Sequence, residues 1–294
     1  MCVTGDRRGV PRVTGIRESK LEGAGPSHDP KGGPVTSDTA STRPATTASP
    51  RRERGNARRR RGQWVPPQHG AWAMLIVPYL AGLIAVGFTW PHLPLLVAWL
   101  AGYPLSYFAL LAVKTRRFAR FRPQILTFGT AALLAGGITV AARPALLYYA
   151  PLFAVVLVIN GLFAARRDDR ALLNGLVSVA GAMLILPVVA TVAGRPPTEV
   201  IDALIVSFLY FAGTVFFVKT CIRERDNRAM LVASITYHAA ALAAAAWVHL
   251  LYAIPFGLYL ARSVIVPGKN LTPKHLGVME IVSSVLLLAT VALT

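Results

Sequence analysis

From residue 63 to its end the sequence is a series of nine apolar runs separated by short charged or proline-bearing connections. They cover roughly 71–89, 93–113, 123–142, 145–164, 171–193, 201–218, 229–247, 249–266 and 277–294. Most approach the ~20 residues that a helix needs to cross the hydrocarbon core of a bilayer. Backbone surrounded by lipid must satisfy its own amides and carbonyls, which leaves only helices and closed barrels as spanning structures. Runs of this length and continuity are helical. The charged fraction is 15% and the mean hydropathy +0.51, against about 25% charge in soluble domains. The expected fold is therefore all-α, a polytopic transmembrane bundle of nine helices in the cell membrane. Pro78, Pro104, Pro151, Pro187 and Pro255 fall inside the runs and predict kinks. Frequent Ala and Gly let neighbouring helices approach closely.

Residues 1–62 have a different composition. They carry 14 of the 31 basic residues and 6 of the 13 acidic ones, with much Gly, Pro, Ser and Thr. Without apolar periodicity such a stretch cannot offset its ordering entropy. It is expected to be a disordered basic cytoplasmic tail ahead of a transmembrane domain spanning 63–294. Its end, RRERGNARRRR at 51–61, either holds anionic lipid at ~1 kcal/mol per residue or simply keeps this end in the cytoplasm. No cleavable signal sequence is expected, since the N-terminus lacks an apolar core.

The net charge of +18 is a level seen in nucleic-acid binders, but its distribution fits membrane topology better and no nucleic-acid partner is expected. From residue 63 onward there are 17 Lys and Arg. All but Arg143 and Arg195 fall on the side of the loops at 114–122, 165–170, 219–228 and 267–276. The positive-inside rule then places the N-terminus inside and the C-terminus outside. Trp64 and Trp72 flank the entry to the first helix at the headgroup level, and Pro66 and Pro67 keep that helix from starting earlier.

One inner loop has a near copy. RDDRALL at 167–173 and RDNRAML at 225–231 share five of seven positions, 58 residues apart, a hint of an internal repeat. The acidic and amide residues open the following helices, where they can cap free amides and complement the dipole. Arg170 and Asn174 are four apart and share a face that continues to Ser178, with Asn160 close to the same end of the preceding helix. Together with Lys219, Arg223 and Arg228 these residues outline an inner-mouth pocket for an anionic headgroup or phosphate. Asp168, Asp169 and Asp226 would hold a divalent cation such as magnesium or orient the arginines.

Deeper polar residues extend the set. Tyr210, Thr214, Phe217 and Cys221 form a stripe at three- and four-residue steps, and His238 lies one turn from Ser234. A histidine several turns into the membrane either serves substrate binding or stays neutral and bonds a neighbouring helix. Glu280, about one turn into the last run, either pairs with Arg262 or Lys274 or acts as a proton or cation site. His69 and His275 are interfacial, so no paired haem ligand matches His238 in depth. Cys2 and Cys221 suit neither a disulfide framework nor a zinc site. The sequence contains no GxxxxGK[ST], HExxH, GxSxG or CxxC, which argues against an ATP-driven pump, a zinc protease, a serine hydrolase of the usual kind and a thiol oxidoreductase.

The segments PPQHGAWAMLIVPYLAG at 66–82, RDDRALLNG at 167–175, FFVKTCIRERDN at 216–227 and ITYHA at 235–239 resemble the YwiC-like family of integral membrane proteins. The resemblance extends over roughly 63–294 and implies a membrane bundle without implying a reaction. It departs at Gly175, where an acidic residue would be more usual. In architecture the chain is more loosely similar to UbiA-type intramembrane prenyltransferases, which have nine helices, an internal repeat and aspartate-rich motifs holding magnesium and pyrophosphate at the cytoplasmic side. The loop 114–122 here contains no carboxylate, and only Asp168, Asp169, Glu224 and Asp226 serve the other inner loops. The expected function is a cytoplasmic-side site for an anionic-headed lipid or isoprenoid. The alternatives are a secondary transporter of a small anion or polar metabolite and a non-catalytic membrane subunit. Membrane lipids and an anionic small molecule or lipid are the expected partners, and no catalytic residue is assigned.

Overall fold

The structure is a computed structural model that describes residues 64–66, 69–269 and 271–294. The expected tail, and its boundary with the membrane domain, lie outside the described residues. Among the described residues all regular structure is helical: α1 His69–Val86, α2 His92–Thr115, α3 Phe118–Ala142, α4 Ala150–Ala165, α5 Leu172–Met183, α6 Ile185–Val192, α7 Ile201–Ile222, α8 Arg228–Val248, α9 Ala253–Ile265 and α10 Pro273–Val291. Short 3-10 turns at Pro144–Tyr149, Pro197–Val200 and Leu250–Tyr252 lead into α4, α7 and α9. Since α5 and α6 form one apolar span, the described chain contains nine apolar helices. Seven are long and apolar enough to cross a membrane, and two at Gly70–Val86 and Leu250–Ile265 are shorter.

Only one of the five prolines breaks a span. Leu184 interrupts the run between α5 and α6 just before Pro187, whose nitrogen cannot donate to the Met183 carbonyl. Pro78 and Pro104 lie within the continuous α1 and α2. Pro151 is in the first turn of α4 and Pro255 in the first turn of α9, where the missing N–H would have no helical partner in any case. Pro187 thus follows a break and Pro151 and Pro255 sit at helix starts, while α1 and α2 run on through Pro78 and Pro104. The loop expected at 114–122 is also shorter than its charge implied. α3 already begins at Phe118, leaving a turn at Arg116 and Arg117.

The centre of the bundle consists of α1, α5–α6 and α7. Half or more of the apolar window is buried in α5–α6 and α7, against 11% in Phe118–Ala142 and none in Pro144–Ala165. The last two present Leu126, Leu133, Leu134, Ile138, Leu152, Val155, Val158 and Leu162 outward, an apolar face of the kind that suits lipid. The central packing uses small residues. A Cβ on Gly82 of α1 would lie 3.0 Å from Val189 Cγ1 of α6, and one on Gly175 of α5 would lie 2.9 Å from Val215 Cγ1 of α7. The Gly175 departure thus has a steric reason, because a carboxylate would not fit there.

The two ends of the bundle differ in chemistry. At one end Lys114 pairs with Asp169, and Lys219 Nζ donates to the Arg170 carbonyl at 3.1 Å. These contacts bring the ends of α2, α4 and α7 together, and 14 of the 17 cations between 63 and 294 lie in the loops and helix ends on this side, with Arg262 buried in the last turn of α9. At the other end His92 Nδ1 accepts from the Thr89 amide at 2.9 Å while its Nε2 reaches the Val189 carbonyl at 3.1 Å. The two cations of that end have local partners. Arg143 Nε donates to the Val192 carbonyl at 3.0 Å, and Arg195 pairs with Glu199 at 2.7 Å.

Candidate functional site

The basic end carries an open cleft of about 340 Å³ lined by Lys114, Thr115, Arg117, Arg120, Phe121 and Arg167. It lies between the α2–α3 turn and the α4–α5 loop. Four cations and no carboxylate line it, so its charge suits an anion. Asp169 stands nearby on the Lys114 ammonium, with 37% of its side chain exposed. Partial burial acts to raise the Asp169 carboxyl, but the hydrogen bond and charge of Lys114 outweigh it and hold the group below its ordinary value.

Both turns that flank the cleft end their helices in the same way. Arg117 N–H bonds the Ala112 carbonyl and Arg116 N–H the Val113 carbonyl. Asp168 N–H bonds Phe163 and Arg167 N–H bonds Ala164. These are Schellman closures, which place one residue in the left-handed region, usually glycine. Here the residues are Arg116 at φ 56° and Arg167 at φ 59°. The same closure at the opposite end, after α6, uses Gly194 at φ 75°. An L-residue at such a position costs about 1 kcal/mol relative to glycine, so the basic end keeps arginine against a local preference. Arg116→Gly and Arg167→Gly are each expected to raise the stability of the detergent-purified protein by up to about 1 kcal/mol. Thermal unfolding measures the gain, and R167G should gain stability while losing a cation of the cleft.

The repeated heptapeptides do not adopt equivalent structures. Asn227 is the N-cap of α8, its side chain accepting from Met230 N–H at 3.1 Å. The matching Asp169 does not cap α5, whose N-cap is Ala171, two residues later and without a side-chain bond. Asp169 is thereby free to meet Lys114. The second copy does not reach the cleft: Arg223, Asp226 and Arg228 are exposed at the α7–α8 turn, and the lining includes none of them, nor Arg170 or Lys219. The expected convergence of both copies on one pocket is corrected to a cleft built from the first copy and the α2–α3 turn. Among the described residues no three His, Cys, Asp or Glu side chains come together in a way that could hold a metal. Asp168, Asp169 and Asp226 are therefore not gathered into one group among the described residues.

The amides expected at the inner mouth have a structural task. Asn174 Nδ2 donates to the Asp169 carbonyl at 2.9 Å, and Ser178 Oγ lies 3.1 Å from Asn160 Oδ1 and 2.8 Å from the Asn174 carbonyl. The face shared by Asn174 and Ser178 is thus real, and it ties α4 and α5 to their loop. His238 is buried in α8, far along the helix from the basic end. Its Nδ1 lies 2.7 Å from the Ser234 carbonyl, and Nε2 faces Gly213 of α7, where a Cβ would stand 3.1 Å away. It bonds its own helix rather than a neighbour and does not belong to the cleft.

A second charged group lies inside the bundle. Arg262 of α9 and Glu280 of α10 are 8% and 7% exposed and meet at 2.8 Å between Nη1 and Oε1. Glu280 Oε2 accepts from Tyr210 Oη at 2.9 Å and from Thr214 Oγ1 at 2.8 Å, both on α7. The guanidinium lies 4.6 Å from the ring centre of Phe217 and 5.1 Å from that of Tyr259, within cation–π range.

The chain is 32% identical over 239 residues to the protein named Uncharacterized protein YwiC of Bacillus subtilis, across 78% of this chain and 97% of that one. It belongs to the YwiC-like family. The family model described as YwiC-like protein matches residues 65–190. An uncharacterized protein of Haemophilus influenzae is 28% identical over 221 residues, covering 72% of this chain and 90% of its own length. No solved structure matches.

In this YwiC-like chain Asn160, Asn174 and Lys219 of the expected mouth residues tie helix ends and loops, whereas Lys114, Arg117, Arg120 and Arg167 line the cleft. The 114–122 loop was set aside because it lacks carboxylates, yet the same lack is what suits it to an anion. The Arg262–Glu280 pairing was one of the alternatives for Glu280, and the stripe of Tyr210, Thr214 and Phe217 is the wall against which that pair packs.

Proposed function

We propose that this YwiC-like protein is a multi-pass protein of the cell membrane, with its N-terminus and basic end in the cytoplasm, that binds the anionic headgroup of a phosphate-bearing lipid or isoprenoid. The observation that carries the reading is the cleft of Lys114, Arg117, Arg120 and Arg167 with no carboxylate in its lining. Arginine forks bind phosphate oxygens with paired hydrogen bonds, and Lys114 adds a point charge. Phe121 in the lining gives the cleft an apolar side against which the start of a lipid tail can lie. The reading stops at binding. The carboxylates do not gather into a metal group, so no magnesium-assisted transfer step is derived.

The test uses the full-length protein in phosphatidylcholine nanodiscs with farnesyl diphosphate as probe and farnesol as the uncharged control. Wild type should bind the diphosphate in preference to farnesol, with an affinity that falls as salt rises. The R117A/R120A variant should lose about tenfold or more, from two charge-assisted contacts at roughly 1 kcal/mol or more each. Equal binding of farnesol and farnesyl diphosphate, or undiminished binding by the variant, would rule the cleft out.

A further inference from the structure

The cleft makes no use of the charged group buried deeper in the bundle, and a purely structural ion pair does not account for it. Arg262 Nη1 meets both Glu280 Oε1 at 2.8 Å and Ser283 Oγ at 2.9 Å. Arg262 Nε and Nη2 are buried and find no hydrogen-bond partner among the described residues. These two nitrogens share one edge of the planar guanidinium, the edge that takes a carboxylate with two parallel bonds. Glu280 does not take it, because Oε2 is held by Tyr210 and Thr214 and Oε1 contacts only Nη1. The aromatic rings of Phe217 and Tyr259 lie near the guanidinium, but rings offer no acceptor in the plane of the fork. Two unmet donors on a buried cation would each cost about 1–3 kcal/mol, so this edge wants an acceptor, which a small anion could supply if the side chains around it part.

We propose that Arg262 is an anion site inside the bundle for a small carboxylate, and that binding there is coupled to protonation of Glu280. The coupling follows from charge. A guanidinium is a permanent cation, and hydrocarbon tolerates one only beside a countercharge. When a carboxylate occupies the Nε–Nη2 edge, two anions face one cation. A proton from solution onto Glu280 restores balance, with the carboxyl then neutral and the bound carboxylate paired to Arg262. The site goes from Arg⁺Glu⁻ to Arg⁺, GluH and carboxylate, so its net charge is unchanged. By linkage the anion binds more tightly as pH falls. The other titratable groups around the pair are Tyr210 and Cys221 of α7, Tyr259 of α9 and His238 of α8.

Formate is the probe, since its charge does not change between pH 6 and 8. Titration calorimetry on the full chain in buffers of different ionisation enthalpy counts the protons taken up. The R117A/R120A background removes the cleft's contribution, so the outcome here is separate from the fate of the proposed headgroup site. One formate per chain should bind with uptake of up to about one proton, and the affinity should rise by up to about tenfold per pH unit lowered. E280Q should bind formate without proton uptake and with a flat pH profile, and R262M should not bind it. Thr214→Val removes one hydrogen bond from the ionised carboxylate and should strengthen formate binding about fivefold at fixed pH, a readout that does not depend on E280Q folding. No formate binding in the parent, proton uptake unchanged in E280Q, or weaker binding in T214V would overturn the proposal.

Discussion

Replacing Arg262 with methionine is expected to destabilise the bundle by about 3–5 kcal/mol, because Glu280 is left as an uncompensated charge in a buried site. Glu280→Met should cost a similar amount, leaving Arg262 without a countercharge and with Nη1 bonded only to Ser283 Oγ. The double variant R262M/E280M should recover most of the loss, since both charges leave together and methionine fills comparable space. Reversible unfolding of the four proteins in mixed micelles gives the coupling energy, expected at about 2 kcal/mol or more. Additive losses would mean that the two side chains act independently despite their 2.8 Å contact. The cycle measures only the pair. Whether the second edge of the guanidinium takes a carboxylate is decided by formate binding.

The second large effect concerns helix contact. A Cβ on Gly181 of α5 would stand 2.6 Å from Val156 Cγ1 of α4, closer than packed carbons approach. Val156 is β-branched and stiff about χ1, so the helices must separate instead. Gly181→Ala is expected to cost about 1–3 kcal/mol, the usual range for overpacking, and Gly181→Val more. Val156→Ala in the same chain should restore most of the stability of G181A, because the two substitutions exchange volume across one contact. The same unfolding assay reads both, and a G181A protein as stable as wild type would mean that α4 and α5 are further apart than drawn.

Much of the fold could be read from the order of residues. Nine apolar runs appear as nine apolar helices with ends within a few residues of the expected ones. The largest shift is at α3, which begins at Phe118 inside the arginine loop, where the Phe121 ring stacks on Phe108 of α2. The site was less legible. The duplicated RD[DN]RA[LM]L drew attention to the α7–α8 turn, yet a two-residue difference in where α5 and α8 begin gives the copies different tasks. Asn227 caps its helix, whereas Asp169 turns away to Lys114. Such a shift depends on what each loop packs against, and that information is distant in the chain.

By itself the sequence determined a helical membrane bundle with one end rich in arginine, because backbone in lipid has few solutions and the charges of short loops follow topology. It also marked Glu280 and the Tyr210–Thr214–Phe217 stripe as polar residues in need of partners. Only the tertiary structure decided which cations share a cleft, that the three aspartates do not assemble, and that Arg262 gives Glu280 one edge of its guanidinium and keeps the other. Those outcomes depend on distances between helices far apart in sequence, which are set by glycine contacts at Gly82, Gly175 and Gly181 and by the break before Pro187.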